Sequence, residues 1–337
     1  MPQFKVLITD YAWPDLDIET SILARNDAEL VIPRGKSEDE LVEAAAGCDA
    51  IMTNWASTTA KVIAAAPNCR IVSRLGIGLD NIDVSYCTEH GIPVTNVPDY
   101  CVIEVAEHAM ALLLGFARNV AHYHERTKHG VYQLQDGVPM RRIAGRTLGI
   151  VGFGKIGRAL ADRARAFGLR LLATGRTPRD IPDDVTWCPL EQLLAESDFV
   201  SLHTPLTDST RHLIDARTLG LMKPEACIIN TARGGVIDQE ALADAIEQGR
   251  LAGAALDVQT PEPPDLSHRL FGHPRVIVTP HAAFVSAESL DDLRRRTAQQ
   301  IVDRLAGKTQ KTSSIPKCLP VDEHRSKAVP GSRWRPR

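Results

Sequence analysis

The stretch at residues 147–177, TLGIVGFGKIGRALADRARAFGLRLLATGRT, decides the fold. It opens on a short apolar run, 147–151, with the length and composition of a buried parallel strand. Gly152, Gly154 and Gly157 follow in the spacing G-x-G-x-x-G. Over 155–167 the period turns helical, with Ile156, Leu160, Ala164 and Phe167 on one face. Gly168 stops that helix, and 169–173 reads as a second buried strand. The spacing alone says little. A strand before it and a helix after it make it a dinucleotide-binding turn. The three glycines then serve a tight turn, close backbone approach to a pyrophosphate and close helix–strand packing. Lys155 and Ile156 open the helix, whose free N–H groups and partial positive charge suit phosphate.

Working outward toward the C-terminus, strand runs recur at 199–203, 227–230, within 252–258 and at 276–279. They end in His203-Thr204-Pro205-Leu206, Thr231-Ala232-Arg233-Gly234-Gly235, Asp257 and Pro280-His281. Four consecutive strands thus deliver polar residues at their carboxyl ends, the side on which a doubly wound sheet binds its ligand. The segment 286–305 reads as a final amphipathic helix.

Toward the N-terminus, β-like runs at 5–8, 29–32, 50–52, 70–73 and 93–96 alternate with helical patterns at 19–25, 38–46, 59–66 and 84–90. That alternation predicts a second parallel, doubly wound sheet. Two of its strand ends are candidates for ligand contact: Thr53-Asn54 and Arg74-Leu75-Gly76-Ile77-Gly78. Gly76 and Gly78 suit either a backbone nest for a carboxylate or a plain glycine turn. The following DNID, 80–83, reads as a capped helix start. Residues 104–126 form the longest helical pattern, apolar over a wide face, which predicts burial against a sheet or a second subunit. His108, His122 and His124 within it read as packed or solvated side chains, and no metal site is expected. The polar segment 128–146 reads as the crossing into the nucleotide half.

The chain's 337 residues are comfortable for two domains, and 44% hydrophobic with 24% charged residues is ordinary for a globular enzyme. A net charge of −3 gives no reason to expect a nucleic acid or an anionic membrane as partner. The opening MPQFKVLITD is a strand pattern rather than a secretory leader, and the apolar run around 109–114 is too short to span a bilayer. Seven cysteines without a C-x-x-C pair read as reduced thiols, so a cytoplasmic location is expected. From residue 308 the composition changes, and the basic, proline-containing end reads as a loosely attached extension.

Hydride transfer to a 2-oxo acid needs a cation to hold the carboxylate and polarise the carbonyl, an acid to protonate the nascent alkoxide, and an oriented nicotinamide. Arg233 suits the first task, because a guanidinium stays charged and forks onto a carboxylate. His281 suits the second, and Glu262 is a candidate partner that keeps it protonated. Each taken singly also reads as a surface arginine, a capping histidine or a loop glutamate.

With these residues in view the chain resembles the D-isomer-specific 2-hydroxyacid dehydrogenase family over about 5–305. The matching segments are RLGIGLDNID at 74–83, NVPDYCVIEVAEHA at 96–109, TLGIVGFGKIG at 147–157 and SDFVSLHTPLTDSTRHLI at 197–214. They continue with MKPEACIINTARGGVID at 222–238, LAGAALDV at 251–258 and TPHAA at 279–283. NVPDYC, with the HAAF and SAES segments, looks most like the branch containing the C-terminal-binding-protein corepressors and their bacterial enzyme relatives.

The resemblance implies two doubly wound parallel-sheet α/β domains. A flavodoxin-like substrate domain takes 1–101 and 289–317, a Rossmann-type nucleotide domain takes 102–288, and 318–337 is left as a flexible tail. It implies Arg233 as binder of the substrate carboxylate and carbonyl, His281 as acid/base, and Glu262 as the residue that tunes His281. Asp257 would hold the nicotinamide carboxamide, and the backbone of Leu75, Gly76 and Ile77 the substrate carboxylate, with Asn54 beside them. His203, Pro205 and Thr210 would line the adenosine half, and Thr204, Thr231 and Ala232 would complete the cofactor side. A homodimer through the nucleotide domain is implied as well.

Two departures stand out. NAD-using relatives end the strand after the glycine helix in a carboxylate that binds the ribose hydroxyls. Here Gly175 takes that place, followed by Arg176 and Thr177. A cation without a repelling carboxylate predicts NADP(H) over NAD(H), the alternative being an Arg176 that points to solvent and an enzyme that takes both. Phe284 and Val285 stand where the corepressor branch carries a larger aromatic, which leaves the substrate side-chain pocket unassigned.

The expected activity is therefore NAD(P)H-dependent reduction of a small anionic 2-oxo acid to the D-2-hydroxy acid. The same site admits a phosphonate- or phosphate-bearing oxo acid such as phosphonopyruvate, or phosphite oxidation. A dinucleotide-sensing, corepressor-like interaction protein is the alternative of another class.

Overall fold

The computed structural model describes residues 2–308, so the expected extension at 318–337 lies outside the described residues. The chain divides into two compact units, one made of residues up to Pro98 together with those from Arg294 onward, the other of Asp99–Leu293.

The first unit runs β1 (Phe4–Ile8), α1 (Asp17–Ala24), β2 (Ala28–Val31), α2 (Glu38–Ala45), β3 (Ala50–Thr53), α3 (Ala60–Ala64), β4 (Val72–Arg74), α4 (Val84–Glu89) and β5 (Val94–Thr95). The strands form one parallel sheet in the order β2-β1-β3-β4-β5, the flavodoxin-like order. Leu7, Ile51, Val72 and Val94 from the strands pack with Leu41, Val62 and Ile63 from the helices. The helix starts are chemically marked. Ser37 and Glu40 form a reciprocal capping box on α2, and Thr59 and Asp83 accept from Val62 N–H and Tyr86 N–H on α3 and α4. The start expected at 80–83 is thus capped by its last residue.

The second unit runs α5 (Val102–Ala117), α6 (Val120–Lys128), β6 (Thr147–Val151), α7 (Lys155–Ala166), β7 (Arg170–Thr174), β8 (Val185–Trp187), α8 (Leu190–Glu196), β9 (Phe199–Leu202), α9 (Ala216–Leu219), β10 (Cys227–Asn230), α10 (Gln239–Glu247), β11 (Gly253–Leu256) and β12 (Val276–Val278). Its seven strands are parallel in the order β12-β11-β10-β9-β6-β7-β8. Strand order reverses between β6 and β9, which places the glycine turn after β6 at the topological switch point. The strands are buried on both faces. Leu148, Ile150 and Leu171 pack with α5 and α7, whereas Val151, Leu172, Val200 and Leu202 pack with α8, α9 and α10. This is the side-chain period of two expected of a doubly wound sheet.

The structure corrects the boundaries read at 104–126 and at 128–146, adds one strand, and decides between the two partners expected for the apolar face of the long helical pattern. The pattern at 104–126 is two helices, because Asn119 adopts a left-handed φ of 52° and its side-chain amide donates to the Val138 carbonyl at 2.7 Å. Of the two partners expected for the apolar face, a sheet or a second subunit, α5 packs on its own sheet and on α7. The segment 129–146 lies within the second unit rather than leading into it, and β8 adds a seventh strand that its three residues, VTW, gave no periodicity to detect.

The last described element is α11 (Ala287–Leu305), the longest described helix. Its Arg294 forks onto the wholly buried Glu19 of α1, with Nε and Nη2 at 2.9 and 2.8 Å from the two carboxylate oxygens, and lies over the Trp13 ring. Gln300 accepts from the Ser73 hydroxyl of β4 at 2.9 Å and donates to the Asn96 carbonyl at 3.0 Å. No described helix is long and apolar enough to cross a membrane.

Candidate active site

In the second unit the glycine turn shows three different demands. Gly152 has φ +97°, and a Cβ there would fall 2.5 Å from the His203 carbonyl oxygen. At Gly157 a Cβ would meet the Gly152 carbonyl oxygen at the same distance. At Gly154, the N-cap of α7, a Cβ would meet nothing within 4 Å. The first and third glycines are therefore demanded by the protein's own packing, whereas the second faces open space, as a turn that admits a ligand requires. No side chain caps α7, so the N–H groups of Lys155, Ile156 and Gly157 stay available for anionic oxygen. The Lys155 ammonium pairs with Asp99 at 3.4 Å.

The neighbouring strand ends add donors. The hydroxyls of Thr204 and Thr231, past β9 and β10, are buried without a hydrogen-bond partner, which marks them for a polar group the protein does not supply. A dinucleotide fits this set: open space at Gly154, free helix N–H groups and two orphaned hydroxyls. His203 bonds through Nε2 to the Ser201 hydroxyl at 2.9 Å, and burial pulls its pKa down to about 4, so it stands neutral. Thr210 spends its hydroxyl on the local loop, donating to the Pro205 carbonyl at 2.6 Å and accepting from Thr207 N–H at 2.8 Å. Gly175, Arg176 and Thr177 are exposed directly after β7, and a Cβ on Gly175 would meet the Trp187 ring at 3.2 Å.

Asp257, past β11, is wholly buried. Its carboxylate accepts from the Thr279 hydroxyl at 2.6 Å, Ala282 N–H at 2.9 Å and Ala283 N–H at 2.9 Å. Its carbonyl accepts His281 N–H at 2.7 Å. Asp257 thus builds the loop that carries His281, a task in addition to the cofactor contact expected of it. That loop is bent sharply: His281 itself has φ +54°, a region that non-glycine residues seldom occupy.

His281 Nδ1 lies 2.7 Å from Glu262 Oε2, and Glu262 Oε1 accepts Gln259 N–H at 2.9 Å. Because a carboxylate only accepts, Nδ1 carries the proton of this hydrogen bond. Phe284 meets the imidazole edge-on at 6.0 Å and is met in turn by Tyr100 at 6.3 Å.

Arg233 follows Asn230, a buried residue whose amide donates to the Arg233 carbonyl at 2.9 Å and accepts from Ala232 N–H at 3.0 Å. The Arg233 guanidinium donates to the Ala232 carbonyl at 2.8 Å. A Cβ on Gly234 would lie 2.0 Å from the Gln259 carbonyl oxygen, so the Arg233 loop is pressed onto the Glu262 loop. The structure therefore brings the segments of Arg233, Glu262 and His281 together within one unit.

The first unit presents its own polar edge at the carboxyl ends of β3 and β4. Asn54 is buried, its side-chain oxygen accepts from Arg74 at 3.3 Å, and its amide nitrogen has no partner. Asn81 accepts from Arg74 Nε at 3.1 Å and donates to the Asn54 and Ala56 carbonyls at 2.9 Å each. Leu75 departs from expectation: its N–H continues the ladder onto the Thr53 carbonyl at 2.8 Å and is spent. A carboxylate nest here is left to Gly76 and Ile77, whose carbonyls are taken by Val97 N–H and the Asn96 amide.

Sequence reasoning missed Asp10, which accepts the N–H groups of Asn54, Trp55 and Ala56 and shapes that edge. It also missed Gln259, Thr279 and His108. His108 lies 3.0 Å through Nε2 from the Thr279 hydroxyl, whereas His124 is exposed and His122 lies 3.5 Å from Asp136. A polar Glu104–His108 pair one turn apart, on a helix whose only other charged residue is Glu107, was the available signal.

The description D-isomer specific 2-hydroxyacid dehydrogenase, NAD binding domain, matches residues 110–283. The hydroxypyruvate reductase of Thermotoga maritima is 38% identical over 311 residues, which cover 90% of this chain and 98% of that protein. A glyoxylate reductase of Korarchaeum cryptofilum is 41% identical over 279 residues, 80% of this chain and 82% of that one. Among solved structures, the D-lactate dehydrogenase of Aquifex aeolicus, complexed with NAD and lactic acid, superposes with a TM-score of 0.81 at 28% identity, covering 90% of this chain and 96% of that chain.

Proposed function

The chain belongs to the D-isomer-specific 2-hydroxyacid dehydrogenases, and from that premise we propose how its own residues perform the family's reaction. The activity is NAD(P)-dependent interconversion of a small 2-oxo acid and its D-2-hydroxy acid. The observation that carries the assignment of roles is the 2.7 Å pairing of Glu262 with His281 Nδ1. It leaves Nε2 as the atom that gives a proton to the carbonyl oxygen on reduction and takes one from the hydroxyl on oxidation. Glu262 holds the imidazole in that tautomer and balances the imidazolium. Arg233 holds the substrate carboxylate and draws electron density from the carbonyl. When bound, a nicotinamide dinucleotide supplies or accepts the hydride. The turn at Gly152–Gly157, with Thr204 and Thr231, would hold it. In the first unit, Gly76, Ile77 and the Asn54 amide are proposed as the polar edge toward substrate oxygen.

The test is initial-rate oxidation of NADPH and NADH, side by side, with glyoxylate, hydroxypyruvate, a branched 2-oxo acid and phosphonopyruvate. His281→Ala should abolish most turnover while leaving dinucleotide binding nearly intact. Turnover that survives the substitution places the acid elsewhere.

NADP(H) is proposed as the preferred cofactor, supported by the exposed Gly175–Arg176 pair and the missing carboxylate after β7. A charge-assisted bond to a 2′-phosphate is worth about 1.5–3 kcal/mol, so Arg176→Ala should weaken NADPH binding by about ten- to a hundred-fold and leave NADH unchanged. Equal affinities in the parent protein overturn the preference. A homodimer through the second unit is also proposed. Its support is the apolar surface of Ile103, Tyr132 and Leu134, exposed by 59%, 93% and 72%. Sedimentation as a monomer at micromolar concentration overturns it.

A further inference from the structure

We propose that His108 is a positioning residue for His281, acting through the Thr279 hydroxyl and the Asp257 carboxylate; this rests on the role of His281 given above. Glu104 and His108 lie one turn apart on the same face of α5. Glu104 Oε1 accepts from the Ser286 hydroxyl at 2.8 Å, and His108 Nε2 lies 3.0 Å from Thr279 Oγ1 and 3.4 Å from Asp257 Oδ1. One helix face therefore grips the segment 279–286 near both of its ends, and His281 lies between the two grips.

The direction of each proton in this chain is fixed by chemistry. Asp257 is a carboxylate that accepts two backbone N–H groups, so Thr279, 2.6 Å away, must give its single proton to Asp257. The Thr279 oxygen is then an acceptor, and only a His108 protonated on Nε2 can fill it. The relay runs His108 Nε2–H to Thr279 Oγ–H to Asp257 Oδ1. Asp257 in turn holds the N–H groups of Ala282 and Ala283 and, through its carbonyl, the N–H of His281.

This matters because His281 sits at φ +54°. A non-glycine residue stays in that region only where its surroundings over-determine it. Asp257 supplies three of the restraints on 281–283, and His108 with Thr279 holds the carboxylate that makes two of them. A tilt of the loop would move Nε2 of His281 off the carbonyl oxygen, a displacement to which proton transfer is sensitive.

Full-length His108→Leu, His108→Gln, Thr279→Val and the double variant H108L/T279V are compared with the parent protein on the oxo acid it reduces fastest. His108→Leu should lower kcat by about ten-fold or more and raise the solvent deuterium isotope effect, with KM and dinucleotide Kd nearly unchanged. His108→Gln, which keeps an N–H donor, should recover much of the loss. In the Thr279→Val background His108→Leu should cost no more than about two-fold further, because both act through one chain. Losses that multiply, or a His108→Leu enzyme with parental kcat and isotope effect, overturn the proposal. Imidazole 15N spectra give a readout independent of turnover. His108 should be the Nε2–H tautomer in the parent and lose that preference in Thr279→Val, and an Nδ1–H tautomer overturns the relay. Should the parent protein reduce no oxo acid, the functional reading falls, while the 15N spectra still decide whether the relay exists.

Discussion

Glu262 holds His281 with one carboxylate oxygen, 2.7 Å from Nδ1, and its own backbone neighbourhood with the other, 2.9 Å from Gln259 N–H. Both oxygens are committed, so the carboxylate cannot rotate without losing a partner. The Gln259 side chain is anchored in turn, its amide donating to the Thr279 carbonyl at 3.2 Å. His281, the proposed acid, and the residue that orients it are thereby tied to the ends of two different strands.

Glu262→Gln should therefore lower kcat at least about ten-fold, since the amide cannot balance an imidazolium and proton transfer is the step it serves. Turning its oxygen to His281 leaves an N–H2 facing Gln259 N–H, an unsatisfied contact. Steady-state kinetics with thermal unfolding in parallel check this. Parental kcat in a well-folded variant would contradict the assignment.

The three glycines of the turn should separate stability from binding. Gly154→Ala meets open space, so it should keep the parental melting temperature. It should weaken dinucleotide binding by about ten-fold, the loss of roughly 1.4 kcal/mol at the phosphates. Gly152→Ala would place a methyl 2.5 Å from a backbone carbonyl at φ +97° and should lower the melting temperature strongly. Differential scanning fluorimetry with and without dinucleotide tells the two apart.

His203 should impose an acid sensitivity on folding. Its pKa is about 4 in the folded chain against 6.5 for the ordinary group. The unfolded chain therefore binds a proton that the folded chain does not, and stability falls as pH drops from about 6.5 to about 4, then levels. The ceiling is about 3 kcal/mol, at 1.36 kcal/mol per pH unit. Urea unfolding at pH 7 and pH 4.5 should show His203→Asn losing less stability over that interval than the parent. An equal loss would place the sensitivity in other groups.

Glu19→Ala should be the more damaging of two changes around Arg294. Glu19 is wholly buried, whereas the Asp15 side chain that also meets Arg294 is half exposed. Stranding the buried guanidinium costs roughly 3–5 kcal/mol, whereas Asp15→Ala should cost far less, because solvent already screens that pair. Chemical denaturation of the two variants measures the difference, and equal effects would mean that Arg294 relaxes into solvent.

The strand and helix pattern, the glycine turn and the polar strand ends were all legible because each is a local signal. Apolar runs of four or five residues, a capped helix start at 80–83 and a G-x-G-x-x-G spacing act within one turn or one strand. The same locality explains the misses. Nothing near Asn119 in sequence reveals that its amide is taken by Val138, so the helix break was invisible. Leu75 reads as part of a glycine-rich loop, and only strand pairing shows its N–H to be spent on Thr53.

By itself the amino-acid order determined the two parallel-sheet units, the dinucleotide turn and the candidates Arg233, Glu262 and His281, since periodicity and residue chemistry are carried along the chain. Tertiary structure alone decided which groups are occupied and which are free. Asp257 reads as one more polar strand end, yet its oxygens are committed to a loop 22 to 26 residues away. His108 reads as a packed or solvated histidine on an apolar helix, yet it meets Thr279 across 171 residues. A hydrogen bond is short-ranged in space and indifferent to sequence separation. The partners that hold His281 in place therefore exist only once the sheet has brought its strand ends together.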